Sequence, residues 1–282
     1  MPVRGYCNPD PGDVDSKAMT HKIRTMMLLS LALAALGVAV PTSAAVCEAA
    51  SGPKLLPLVE LFTSEGCDSC PPADRWLAAG FPVAPATAQA SVLAFHVDYW
   101  DRLGWKDRFA SAQFTERQYV AMRAGGETFV YTPQVRLQGK DARNWSSGGV
   151  AENIAATRAQ VSRADVKLTI ADAAGSAVNA RLDVRVPEPA LQKRAEVWLA
   201  YTDSRLVSNV KTGENRGVRL THDHVVRTWL GPFAIDAQGH LERAVRVSRP
   251  AEMGSGATLV AIVQDARNGD VLQTLSLPVC GG

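Results

Sequence analysis

Cys67 and Cys70 stand two residues apart in VELFTSEGCDSCPPADRWL, Val59 to Leu77, where an apolar run gives way to a helical one. Two thiols at that spacing suit three chemistries: reversible thiol–disulfide exchange, half of a metal site, or an inert local disulfide. The mouth of a helix leaves backbone N–H groups unpaired, and these, with the helix dipole, stabilise a nearby thiolate. Cys67 lies just ahead of such a mouth, while Cys70 directly precedes Pro71, closer to the cap and more covered. The expected roles are therefore Cys67 as attacking thiolate and Cys70 as resolving thiol. Against the inert reading, a two-residue spacer closes too small a loop to stabilise much. Structural zinc needs a second ligand pair of similar spacing, and the chain has no other CxxC or CxxH. Cu(I), which accepts two thiolates and one imidazole, stays open.

Other polar pairs share the spacing of one strand face. His96 and Asp98 in FHVDYW are two apart, as are His222 and His224 in THDHVV. The first pair reads as a polar cluster near the cysteines or as a hydrogen-bonded structural pair; the second reads as two metal ligands or as surface histidines. Cys47 and Cys280 lie near opposite ends of the mature chain, and a clamp between them is favoured over a second redox pair. WDRLGWKDRF reads either as a groove for a partner peptide or as packing for a helix.

The elements that must position the thiols follow from periodicity. LPLVELFT is a buried strand, PADRWLAAG a helix opened by proline and closed by Gly80, and SVLAFHVDYW a second strand. KDRFASAQFTERQYVAMRAGG is helical in composition; PQVRLQG and ARNWS are extended, and VAENIAATRAQ is a helix. From about Val166 the chain turns to short alternating strands separated by Asp, Gly, Asn and Pro, the texture of an antiparallel sandwich or sheet.

The front of the chain reads as a targeting segment: Lys22 and Arg24, an apolar stretch of about 15 residues, then small residues from Ser43 to Ala45. That stretch is short for a membrane span, so contact with the membrane is expected only if the segment stays uncleaved. Residues 1–18 precede a second start at Met19, so Cys7 is set aside. Three parts are expected: 1–45 as extension and signal peptide, 46–162 with the cysteine pair, and 163–282 as a β-rich part. A net charge of +2, from 30 basic and 28 acidic side chains scattered in sequence, gives no basic face for nucleic acid. Export to an oxidising compartment, periplasmic or secreted, leaves an even set of Cys47, Cys67, Cys70 and Cys280.

VELFTSEGCDSCPPAD, FHVDYWDRLGWKD, RQY and YTPQ together resemble thioredoxins, and more closely a family of secreted bacterial thioredoxin-like proteins catalogued as a domain of unknown function. GENRG and VAIVQDARNGDVLQTLSLP extend the likeness to most of the chain. The resemblance implies an α/β fold, a thioredoxin-like domain with a helical insertion, followed by an antiparallel β-rich subdomain. It also implies that Thr132–Pro133 occupies the cis-proline position facing the cysteines, where the Thr132 backbone would pair with an extended substrate. Glu60 matches the buried acid that exchanges a proton with the resolving cysteine, but one more residue separates it from Cys67 here, and the alternative is a glutamate that points away, solvated or salt-bridged.

The expected function is thiol–disulfide exchange on an exported protein, with a redox partner protein and neither organic cofactor nor metal. Glu65 and Asp68 disfavour a thiolate at Cys67, which leans the couple toward reductases and isomerases, although Arg75 could offset either acid. The alternative is an exported Cu(I)-binding or partner-binding protein that uses the same cysteines with His96, His222 or His224.

Overall fold

The computed structural model describes residues 47–83, 88–173 and 175–280. The expected signal segment, Met19 and Cys7 lie outside the described residues. Strand β2 (Leu58–Thr63) is buried at every position, and β3 (Ser91–His96) likewise, because both faces of each are covered. Helix α1 (Pro71–Gly80) joins them and makes their pairing parallel. Strand β4 (Gln134–Leu137) runs antiparallel to β2 with Phe62 opposite Gln134, and β5 (Lys140–Asp141) follows it as the edge. Helix α2 (Ala112–Gly125) precedes β4 and α3 (Gly149–Ala159) follows β5.

The second half supplies β6 (Asp165–Asp172), β7 (Ala177–Arg185), the short α4 (Pro189–Gln192), β8 (Ala195–Ser204), β9 (Leu206–Asn209), β10 (Arg219–His222), β11 (Val225–Ala234), β12 (His240–Ser248), β13 (Ser255–Asp265) and β14 (Val271–Pro278). The sheets are an eight-stranded one in the order β14-β13-β8-β11-β3-β2-β4-β5, a four-stranded one, and the two-stranded ribbon β9–β10. In the four-stranded sheet β1 (Cys47–Ala50) pairs with β6, then β7 and β12 follow.

Strand parity sorts the core. Leu58 and Phe62 point to the face that holds Phe95, Phe114 of α2 and Trp229 of β11. Val59 and Leu61 point the other way, onto Ala73 and Leu77 of α1 and Ile154 of α3. Across the second half, Val197, Leu199 and Tyr201 of β8 pack on Leu168 and Leu182 of the four-stranded sheet. Phe95 touches both Phe114 (5.5 Å) and Trp229 (5.3 Å), tying β3 to α2 and β11. Such aromatic pairs add about 0.5–1.5 kcal/mol each beyond the area they bury.

The expected fold class is corrected here. Among the described residues the chain is mostly strand, with fourteen strands against four α-helices, and it is not a thioredoxin-like α/β domain followed by a separate β subdomain. Strands from both parts share the eight-stranded sheet, because β11 joins β3 through the parallel pair Val225 and Ala94 and covers an edge that would otherwise be open. Alternation in a sequence reports the faces of a strand, not its lateral neighbours, so this junction is invisible to it. The position expected for the boundary, 162/163, falls between α3 and β6. The expected long helical insertion is also shorter: α2 starts only after Ser111, whose hydroxyl accepts from Gln113 N. Just before it, the Asp107 carboxylate accepts from Phe109 N (2.9 Å) and holds that stretch as a turn.

Cys47 is disulfide-bonded to Cys280, 233 positions away, which fastens β1 to the chain beyond β14. A bond closing so long a loop stabilises by about 2–5 kcal/mol. No described helix is long and apolar enough to cross a membrane.

Candidate functional site

The loop from Ser64 to Cys70 carries the cysteine pair from β2 into α1. Cys67 and Cys70 are disulfide-bonded with Cα atoms 5.4 Å apart, and both residues have 0% of their surface exposed. Pro71 at the first helical turn leaves no donor to satisfy there, and the N–H groups of Ala73 and Asp74 donate to the Cys70 carbonyl. The burial of Cys67 departs from the expectation that it is the more open of the two. Thr132–Pro133 is a cis peptide bond one step before β4, beside the end of β2. Trp100 spans the two: its Nε1 donates to Thr132 Oγ1 (2.7 Å), and its Cβ sits so close to Gly66 that an added Cβ there would come within 3.2 Å.

Glu60 lies elsewhere. It is buried on the α2 face with Leu58 and Phe62, and its Oε1 accepts from Arg117 Nη2 (2.8 Å) and Nε (3.0 Å). Because α1 packs on the opposite face, the proton-relay role expected for Glu60 is not supported by its placement. The reason is parity: shifting an acid by one position along a strand sends it to the other face of the sheet.

The acid on the cysteine side is Asp74, which the sequence analysis missed. Cys70, Ala73, Asp74 and Leu77 follow the i, i+3, i+4, i+7 spacing of the inner face of α1, so Asp74 stands one turn beyond Cys70 on the same stripe. Its side chain is 9% exposed, and its Oδ2 lies 4.0 Å from His222 Nδ1. Burial pushes the Asp74 carboxyl up, and the nearby His222 and His96 charges and the Thr63 hydroxyl only partly counter this.

Around it sits a buried polar cluster. His96 Nδ1 is 2.6 Å from Asp107 Oδ2, and the same oxygen accepts from Glu65 N (2.9 Å). Trp105 Nε1 donates to Glu65 Oε2 (2.7 Å), and His222 Nε2 lies 3.3 Å from Glu65 Oε1. The His96 and His222 rings meet edge to face at 4.8 Å. Burial alone would lower His96, but the Asp107 charge and hydrogen bond outweigh it and hold the imidazole above its ordinary value. Conversely, burial would raise Asp107 and Glu65, and their histidine partners keep both below the usual carboxylate range.

His96 therefore stabilises the fold fully below its unfolded value of about 6.5, and that contribution is lost as pH rises through its higher folded value. His224 works in the other window: burial lowers it, so its cost appears as pH falls below about 6.5. The melting temperature of the oxidised protein is expected to fall as pH rises from about 6.5 through the raised His96 value, and His96→Gln to flatten that limb. Parallel limbs in the two proteins would contradict the buried ion pair.

The remaining candidates separate. Asp98 accepts from Thr115 Oγ1 (2.6 Å) and is apart from His96, because β3 ends at His96 and the one-face rule ends with it. His222 closes β10, whereas His224 lies in the following turn with φ 57° and its Nε2 is 2.7 Å from the Phe81 carbonyl. They do not share a strand face. Among the described residues no group of three His, Cys, Asp or Glu is placed to hold a metal ion. WDRLGWKDRF divides its work: Trp100 and Trp105 support the cysteine loop, and Arg108 reaches Ser208 Oγ (3.1 Å).

Asn215, in the segment GENRG, donates through Nδ2 to the carbonyl oxygens of both Glu65 and Cys67, at 2.9 Å each. Asp68 N also donates to Glu214 Oε2 (3.3 Å). Nothing in the spacing of GENRG points to a partner 148 residues away. Asp74, by contrast, was within reach of a one-turn spacing argument from Cys70.

The family model described as "Protein of unknown function (DUF1223)" matches residues 58–264. Among solved structures, the crystal structure of protein AGR_C_4864 from Agrobacterium tumefaciens is similar with 26% identity and a TM-score of 0.57, covering 80% of this chain and 96% of that one. HBP35 of Porphyromonas gingivalis has a similar fold at 16% identity and a TM-score of 0.61, covering 80% of this chain and 76% of that one. No curated protein matches the chain.

Proposed function

We propose that this chain, which belongs to the DUF1223 family, is an exported thiol–disulfide oxidoreductase acting through Cys67 and Cys70 on another exported protein. The observation that carries the reading is the placement of the pair at the mouth of α1 with a buried carboxyl, Asp74, one turn behind Cys70. An inert staple has no need of a raised acid on the same helix stripe. The likeness to thioredoxins enters here only as a local one, a cysteine pair at a helix mouth beside Thr132–Pro133.

In the reduced form Cys67 thiolate attacks a substrate disulfide; that S–S bond breaks, a mixed disulfide forms, and the departing substrate thiolate takes a proton from solvent. Cys70 then passes its proton to the Asp74 carboxylate and attacks Cys67 Sγ. The Cys67–Cys70 bond forms, the second substrate sulfur leaves, and the substrate is reduced as the enzyme is oxidised. A redox partner protein bearing a dithiol restores the reduced pair. Glu65, held ionised by His222 and Trp105, and Glu214 on the outer side of the loop both disfavour the Cys67 thiolate. That supports a reductase or isomerase with a potential of roughly −180 to −270 mV. The two disulfides are consistent with a periplasmic or secreted location. The copper-binding alternative gains no observation in its favour.

Cys70→Ser, reduced and incubated with excess oxidised glutathione as a small disulfide, is expected to accumulate a mixed disulfide through Cys67, and Cys67→Ser to accumulate none. Absence of the adduct in Cys70→Ser would contradict the proposal.

A further inference from the structure

Neither cysteine has exposed surface, so a protein disulfide does not reach Cys67 in this arrangement. Against their loop lies the tip of the ribbon formed by β9 and β10. These strands pair only with each other, and their base is fixed by the buried Leu206, Val210, Leu220 and His222, whereas the tip, residues 211–217, is exposed except at Asn215 and can lift without breaking a ladder bond of either larger sheet. Both ends of the ribbon leave the main sheet at non-glycine residues of positive φ, Arg205 (56°) and His224 (57°). Asp223 Oδ1 accepts from Arg205 N (2.8 Å) and holds these two ends together. At the tip, Gly213 and Gly217 take φ values of 75° and 85°, which turn Asn215 toward the cysteine loop.

What keeps the tip down is side-chain contact. Asn215 bonds the carbonyls of Glu65 and Cys67, Thr212 Oγ1 bonds the Gly104 carbonyl, and Glu214 Oε2 accepts from Asp68 N (3.3 Å). Of these, only Asn215 touches the residue that exchanges, and it is itself 6% exposed. Its carboxamide fills two acceptors that an incoming segment would otherwise meet beside Cys67.

We infer that the tip of the β9–β10 ribbon, residues 211–217, is a gate over the Cys67–Cys70 pair and that Asn215 is its latch, restricting exchange to partners that displace it. The inference takes the pair as the reacting group and so rests on the exchange reading, but its test does not use exchange. The probe is a small water-soluble phosphine, and the rate of Cys67–Cys70 reduction in the oxidised full chain is followed by alkylation and peptide mass. Asn215→Ala is expected to react roughly 10-fold faster than the parent, as loss of a latch worth about 1.4 kcal/mol implies, whereas Glu60→Ala, which lowers global stability away from the ribbon, is expected to leave the rate unchanged. Asn215→Asp, which turns an acceptor toward two carbonyls, is expected to react at least as fast. Equal rates in parent and Asn215→Ala, or a like acceleration in Glu60→Ala, would overturn the gate. Faster reduction of Asn215→Ala together with no mixed disulfide in Cys70→Ser would uphold the gate and remove the exchange reading.

Discussion

Asp74→Asn is expected to leave the first attack by Cys67 unchanged and to slow the resolving attack by Cys70 roughly 100-fold at neutral pH, the scale of a lost general base. The asymmetry follows from position. Asp74 stands one turn behind Cys70 on the inner stripe of α1, while Cys67 precedes the helix and faces the Asn215 side of the loop. Burial raises the Asp74 carboxyl, so in the parent the resolving rate climbs as pH passes through that raised value and then levels. In the variant the climb moves to the thiol's own ionisation, near about 8.5 for an unassisted cysteine. Asp74→Glu, which keeps the acid, is expected to recover part of the rate. Rapid-quench trapping of the mixed disulfide separates the two steps. A purely structural Asp74 would change stability and leave the pH profile of the second step in place, and that outcome would contradict the role.

Glu60→Ala is expected to do the reverse. Glu60 and Arg117 form an ion pair with side chains 0% and 4% exposed, and removal of the acid leaves a guanidinium buried beside Trp229 with Gln264 as its remaining side-chain partner. Breaking such a pair costs about 3–5 kcal/mol, or roughly 10 °C in melting temperature for a chain of this size. Exchange by the folded fraction is expected to be unchanged. A Glu60→Ala protein that melts normally but exchanges roughly 100-fold more slowly would return the proton-transfer role to Glu60.

These two acids mark where sequence reasoning reached and where it stopped. Cys67, Cys70 and the α1 that carries them were readable because the signals are local: an apolar strand, two thiols at fixed spacing, Pro71 and Gly80. Thr132 and Pro133 were found by motif, and the structure gives the cis bond between them. The buried acid was sought at the right depth on β2, but one extra residue before Cys67 reverses its face, and the acid that meets the cysteine side comes from α1 instead. Most strands of the second half were readable from alternation, whereas β1, β9 and β10 have four residues each, too few for alternation to stand out. The single sheet that unites the halves depends on Val225 meeting Ala94, and the latch depends on Asn215 meeting Cys67. Both are contacts between distant residues, and neither leaves a periodic trace.

The most direct measurement of the central claim is the reduction potential of the Cys67–Cys70 pair in the mature protein, by thiol trapping across a graded redox buffer in a Cys47→Ser/Cys280→Ser background. The acids around Cys67 predict a value of roughly −180 to −270 mV. A value below about −300 mV would mark the pair as a structural disulfide and contradict the exchange function.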